Sequence, residues 1–279
     1  MATTVTVADI NEVRGITGAG MMDCKKALVA CNGDKNAAIK ILREQGLAIQ
    51  VKRADKESKE GTIDIVQAPD GAFGMAEVNT ETDFVAKTDR FQAFAKLVAE
   101  TAAKGDEKAD ETLNSELVAL VAATGENAKI RRFVRFAKQG EGKIASYLHM
   151  GGKIGVLVEL GCTKAETAES PDFNAVLNEL TLHVAASNPL YLKSEEVPQN
   201  VLDDELEVYR KQVEGKPANI IENILKGKVK KFYSEVCFLD QPYSGDDKKS
   251  VTQILAELSK KLGDTVTIRR YARFQLGAK

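Results

Sequence analysis

The sequence contains no tryptophan and only two histidines, His149 and His183, in 279 residues. The side chain most used for acid–base work and for metal binding is therefore nearly absent. His149 stands beside Gly151 and Gly152 and His183 lies in a helical stretch, so neither a Ser-His-Asp nor a Cys-His set can be assembled. Cys24, Cys31, Cys162 and Cys237 are scattered, with no C-x-x-C pair. That argues against a disulfide framework or a tetrahedral zinc site and suits small buried hydrophobes in a reducing compartment. A basic excess is also missing: 39 Lys and Arg face 41 Asp and Glu, a net charge of −2, which disfavours binding to a phosphate backbone. No apolar run is long enough to cross a bilayer, and the polar start, Met1 to Asp9, lacks the basic and apolar regions of a signal peptide. The glycines of Gly15-Ile-Thr-Gly18-Ala-Gly20 lie near Lys25 and Lys26, but the Walker spacing is absent and no strand precedes them. They read as a turn between helices. These absences predict a cytoplasmic protein without cofactor, metal, membrane or nucleic-acid contact, and not an enzyme.

What is present is an ordinary globular composition, 43% hydrophobic and 29% charged, in a chain long enough for two or more compact units. The first fifty residues show three short helical stripes, around Val7, Ile10 and Val13, around Met21, Cys24, Leu28 and Cys31, and around Ala37, Ile41 and Leu42. Asp34 fits the cap of the third. Met21 and Met22 are adjacent and so point about 100° apart on a helix, which leaves at least one exposed. The charged run from Lys52 to Glu60 is a connector. Gly61–Val66 and Phe73–Val78 then read as a β-hairpin around Pro69-Asp-Gly71, followed by a helix with Phe91, Phe94, Ala95 and Val98 on one face.

The same order recurs in Gly142–Leu148, a turn at Met150-Gly-Gly-Lys153, Ile154–Leu160, and a helix through Phe173, Leu177, Leu180 and Val184. Phe91 and Phe173, Ala93 and Ala175, Val98 and Leu180, and Ala103 and Ala185 each stand 82 residues apart, so the middle of the chain is a duplication. Residues 198–231 are purely helical in period, with a turn at Gly215-Lys-Pro217, and read as an antiparallel αα-hairpin. Ser234–Leu239 reads as a strand, Val251–Leu262 as a helix and Val266–Phe274 as an alternating strand, the late strands completing the second sheet.

The segment Asn79-Thr-Glu-Thr-Asp83-Phe84-Val85-Ala-Lys87 distinguishes the first copy, because Ala165 and Glu166 occupy the places equivalent to Asp83 and Phe84. Thr80-Glu-Thr-Asp83 fits a capping box, and Phe84 stands seven residues before Phe91, in phase with the apolar face. On spacing alone Phe84 reads as core.

Thr17-Gly-Ala-Gly-Met-Met-Asp-Cys-Lys-Lys-Ala-Leu28, Thr82-Asp-Phe-Val85 and Tyr147-Leu-His149…Ile154-Gly-Val-Leu-Val158 resemble the bacterial elongation factor Ts family, in order and over essentially the whole chain. The resemblance implies a multi-domain α+β fold. It would have a three-helix, ubiquitin-associated-like module at 1–55, a core subdomain at 56–140, a second core subdomain at 141–197 and 232–279, and a helical-hairpin insert at 198–231. It also implies a guanine-nucleotide exchange factor whose partner is elongation factor Tu, a GTPase, from which it releases GDP. By motif match Arg14, Met21, Met22 and Lys25 would contribute the module's contact with the GTPase domain. Thr82, Asp83, Phe84 and Val85 would form the loop whose aromatic ring wedges between helices near the nucleotide. His149 would contribute close by, and Gly151 and Gly152 would let the turn approach. The insert resembles the family's dimerisation element, which implies a homodimer, although Ile220, Ile221 and Ile224 suit a dimer seam and simple helix packing equally. Some relatives continue into a further C-terminal helix that touches Tu, a contact not expected of a sequence that stops at Lys279. The competing reading is a non-enzymatic adaptor with the same helical module, and burial of Phe84 in its own core would favour it.

Overall fold

A computed structural model describes residues 5–53, 56–105, 110–215 and 217–278. Met1–Thr4 of the polar start, Ala54 and Asp55 of the charged connector and Lys216 of the helical-hairpin turn lie outside these. The fold is α+β, built from helices and antiparallel sheet, and divides into two units. One runs from the start of the described chain to Ala137 and takes in Leu148–Gly155 and the residues from Phe274 onward. The other comprises Lys138–Tyr147 and Val156–Arg273.

In the first unit, α1 (Val7–Thr17), α2 (Met21–Ala30) and α3 (Lys35–Arg53) open the chain. Thr6 closes a capping box with Asp9 at the start of α1, and Gly18, at φ 68°, ends it. The turn is thus confined to Gly18–Gly20, with Gly15 inside the helix. Asp34 accepts from the Ala37 amide at 3.1 Å before α3. Ile10, Val13, Cys24, Leu28, Ala38 and Leu42 form a small core of their own.

Next come β1 (Glu60–Gln67), β2 (Phe73–Thr80), α4 (Asp83–Ala86), α5 (Asp89–Lys104), α6 (Asp110–Thr124) and β3 (Ala128–Phe136). The sheet order is β1-β2-β3, antiparallel throughout, with Glu60 opposite Thr80 and Ile63 opposite Glu77. α5 buries Phe91, Phe94, Ala95 and Val98, which join Ala76 and Val78 of β2 and Leu117 and Val121 of α6 in one core. β3 did not announce itself in the sequence, because its arginines at 131, 132 and 135 interrupt the apolar alternation that marks a strand. α3 packs on α6, and the Arg90 guanidinium of α5 donates to the Thr17 carbonyl at 2.8 Å, holding the end of α1.

The remaining elements are β4 (Gly142–His149), β5 (Ile154–Gly161), α7 (Ala165–Glu169), α8 (Pro171–Ser187), α9 (Gln199–Gln212), α10 (Ala218–Val236), β6 (Pro242–Tyr243), β7 (Asp246–Ser250), α11 (Val251–Leu262) and β8 (Thr267–Gln275), which apart from Leu148–Gly155 and the residues from Phe274 onward belong to the second unit; the strands form a sheet of order β4-β5-β8 and a separate β6-β7 pair. The expected strand Ser234–Leu239 is absent. α10 continues through Val236, and a 3₁₀ turn takes Phe238–Asp240, because Phe238 is buried at a bend and stacks on His183 with ring centroids 5.6 Å apart. His183 is 1% exposed, and its Nε2 meets Gln241 Oε1 at 2.8 Å. Burial lowers its pKa below 6.5. An unfolded chain therefore binds the proton more readily, so the contribution of neutral His183 is complete above about pH 6.5 and falls as the pH drops further. Melting between pH 7.5 and 5.5 should show a decline of at most about 1 kcal/mol per pH unit from this group. A His183→Leu chain, though less stable, should lack that part of the slope.

Candidate functional site

The segment after β2 turns outward on a single helical turn, and its geometry reverses the expectation from spacing. Phe84 is 81% exposed, the most exposed large hydrophobic side chain among the described residues. Thr82 caps α4 by accepting from the Val85 amide, and Thr88 then caps α5 by accepting from the Phe91 amide. Two caps six residues apart mean two helices, so the seven-residue phase from Phe84 to Phe91 does not carry across the break at Lys87 and Thr88. The capping box expected at Thr80 is likewise replaced, since Thr80 is buried at the end of β2.

Two carboxylates hold the base of this loop. Glu126, just before β3, accepts from Thr80 Oγ1 at 3.1 Å, from the Thr82 amide at 3.0 Å and from Thr82 Oγ1 at 2.8 Å. Thr82 Oγ1 thus gives its proton to a carboxylate while accepting from Val85, so each bond polarises the other. Glu81 accepts two bonds from the Arg53 guanidinium, at 2.7 and 2.6 Å, and a third from the Asn127 amide at 2.7 Å. That fork holds the Glu81 carboxyl down at about 2, so its stabilising effect is complete above about 4.5 and is lost only as the pH falls towards 2. Asp83 bonds Lys87 at 2.6 Å one turn on, which lowers the Asp83 carboxyl and raises the Lys87 ammonium. Val85 is half-buried against the core, and Ala86 is buried. The loop is therefore fastened on both sides of an aromatic ring that touches little of its own protein.

The turn joining β4 to β5 lies at the same sheet. Met150, Gly151 and Gly152 take φ values of 50°, 64° and 89° in succession, and the Gly152 carbonyl accepts from the Ile63 amide of β1 at 2.8 Å. Ile63 is three residues along β1 from Glu60, the partner of Thr80, roughly 10 Å at strand rise. His149 is exposed, as are Leu148 and Met150, the last at 66%. A Cβ on Gly152 would lie 2.3 Å from Thr62 Oγ1 and 2.8 Å from the Ile63 carbonyl, whereas one on Gly151 meets nothing within 4 Å. Gly152→Ala should therefore cost about 3 kcal/mol, from backbone strain plus collision, and Gly151→Ala about 1 kcal/mol from backbone alone. Urea denaturation of the two chains measures the difference.

On the opening helices, Arg14, Met21, Met22 and Lys25 are all exposed. Both methionines face out, at 49% and 61%, because Cys24, Ala27 and Leu28 take the inward stripe of α2. Val7, Ile16 and Val29 are exposed near them in sequence, an apolar surface on a small module. The sequence reading missed Glu126, Arg53 and Arg90, which act at separations of 44, 28 and 73 residues. Met150 was expected in the turn, but its positive φ has no signature in residue type. Among the described residues no helix is long and apolar enough to cross a membrane.

Residues 81–278 match the profile of the family described as Elongation factor TS. Similarity extends further to proteins named Elongation factor Ts. That of Trichlorobacter lovleyi is 43% identical over 98% of this chain and 93% of its own length. That of Desulfovibrio desulfuricans is 42% identical over 98% and 99%, and that of Clostridium perfringens 41% identical over 98% and 93%.

Proposed function

The chain belongs to the elongation factor Ts family, and we propose that it performs that family's nucleotide exchange on elongation factor Tu by pressing Phe84 into the GTPase. It is a nucleotide exchange factor in translation elongation, a role in which no covalent bond is made or broken and for which the cytoplasm is the natural setting. The observation that carries the Phe84 route is the exposure of an aromatic ring on a loop pinned by Glu81 and Glu126. An adaptor that used this loop as core would have buried it.

The physics is linkage: a protein that binds nucleotide-free Tu more tightly than Tu·GDP weakens GDP binding by the same ratio. GDP is held by charge-assisted bonds and by Mg²⁺ between phosphate and protein oxygens, so a small displacement of those elements removes several contacts at once. Thr82, Asp83 and Val85 present Phe84, while His149, Gly151 and Gly152 form a second contact at the hairpin turn. Arg14, Met21, Met22 and Lys25 supply a third on the opening three helices, which we take as ubiquitin-associated-like. Exchange runs in both directions, and the cellular ratio of GTP to GDP sets its outcome. Residues 198–231 are assigned to a homodimer contact, a reading supported by exposed Val208 on α9 and Ile220 on α10. The test is release of a fluorescent GDP analogue from Tu with and without this chain. Acceleration is expected, and its absence would overturn the proposal.

A further inference from the structure

Glu77, on the central strand β2, is fully buried and carries a charge network that the exchange reading leaves unused. Arg132 Nε donates to its Oε2 at 2.8 Å, Arg131 Nε lies 3.7 Å from Oε1, and Asn79 Nδ2 donates to Oε1 at 3.2 Å. The remaining donor is the Gly277 amide, at 2.8 Å from Oε1. Three further contacts tie the same segment down. Arg132 donates to the Gln275 carbonyl at 3.1 Å, Arg131 donates to the Ala278 carbonyl, and the Arg132 guanidinium lies 4.3 Å from the centre of the Phe274 ring.

The duplication repeats this lock in the second unit. Glu159, 82 residues after Glu77, is also fully buried and accepts from Arg269, Arg270 and the Gln139 amide. In each unit a short run of irregular backbone supplies the last donor to a buried carboxylate, which would otherwise cost several kcal/mol. The first lock also reaches the hairpin turn: the Leu276 amide, next to Gly277, donates to the Lys153 carbonyl at 2.9 Å. Lys153 closes the hairpin turn through its own amide, bonded to the His149 carbonyl at 3.1 Å.

We propose that Gln275–Ala278 is a positioning strap: anchored on Glu77, Arg131 and Arg132, it holds the turn bearing His149, Gly151 and Gly152 in place on β1 for contact with the GTPase. This rests on the exchange reading above, because the turn matters only if it touches the partner. Leu276 and Gly277 touch the turn and the anchor, and act on exchange through them.

Two variants test it without removing a buried charge. In Gly277→Val a β-branched residue must adopt φ 70° and its Cβ falls 2.9 Å from the Lys59 carbonyl; the second variant is a chain ending at Gln275. In both, the Ile63 amide, which bonds the Gly152 carbonyl, should exchange with deuterium about tenfold faster, while amides in the middle of β2 keep their protection. GDP release from Tu should slow by a factor of about three to ten, and adding His149→Ala to the truncated chain should slow it little further, since coupled changes are not additive. Unchanged exchange at Ile63 would overturn the strap. So would slowed release that adds fully to His149→Ala, which would place the effect elsewhere. If the intact chain does not accelerate release at all, it is the exchange reading that has failed, and the Ile63 amide would still respond to truncation.

Discussion

Replacing Phe84 with alanine should slow chain-stimulated GDP release by about thirtyfold at a fixed sub-saturating concentration and leave the melting temperature where it was. The two halves of that result come from one number. At 81% exposure the ring buries so little surface in its own protein that truncation costs at most a few tenths of a kcal/mol of stability. An aromatic anchor in a partner's pocket commonly contributes about 2 kcal/mol or more, the equivalent of thirtyfold. Phe91→Ala is the matching control. That ring is fully buried in the core of the first unit, so its removal should cost about 3–5 kcal/mol and should impair release only through loss of folded protein. A Phe84→Ala chain that melts early would return the ring to the core. One that is as stable as the wild type and as active would leave exchange to the hairpin turn and the opening helices.

The legible parts of this molecule were those whose signal is local. Helices with a continuous apolar stripe, α5 and α8 above all, declare their inward faces at intervals of three and four residues, and the stripe of α5 recurs in α8 at a spacing of 82 residues. Caps at Asp34 and turns at Gly18–Gly20 depend on one or two residues. Phe84 shows where such reasoning stops. Its seven-residue distance from Phe91 is a true periodicity in the sequence, but the hydroxyls of Thr82 and Thr88 start two separate helices, and phase is meaningful only within one. The motif resemblance, not the spacing, pointed to an outward ring. β3 failed for a different reason. Arginines 131 and 132 pair with a buried glutamate on the neighbouring strand and are themselves only half-buried, so they count as polar in any pattern although they belong to the sheet. The contacts that set the loop's aim, Glu126 with Thr82 and Arg53 with Glu81, span tens of residues and carry no sequence pattern of their own.

Glu126→Ala should raise the concentration of the chain needed for half-maximal GDP release by about tenfold while leaving the rate at saturation nearly intact, the reverse of a defect in the wedge itself. Without the carboxylate, the buried Thr80 hydroxyl and the amide and hydroxyl of Thr82 lose their acceptor. Water can replace part of this at a half-buried site, so about 2–3 kcal/mol of stability should go, and the melting temperature with it. The functional consequence is greater than the loss of stability suggests. α4 is a single turn of four residues, far too short to persist without its cap and tether, so Phe84 would point correctly only a fraction of the time. Apparent affinity then falls by that fraction, and a complex once formed still holds the ring in its pocket. Phe84→Ala has no ring to insert and should lower the saturated rate as well. Glu126→Gln should fall between, because one amide oxygen can still accept from Thr82 while the amide nitrogen faces donors it cannot serve. Titrating each chain against a fixed amount of Tu loaded with the fluorescent nucleotide separates the cases. An unshifted half-maximal concentration together with a lowered melting temperature would mean that Glu126 supports the sheet and does not aim the loop.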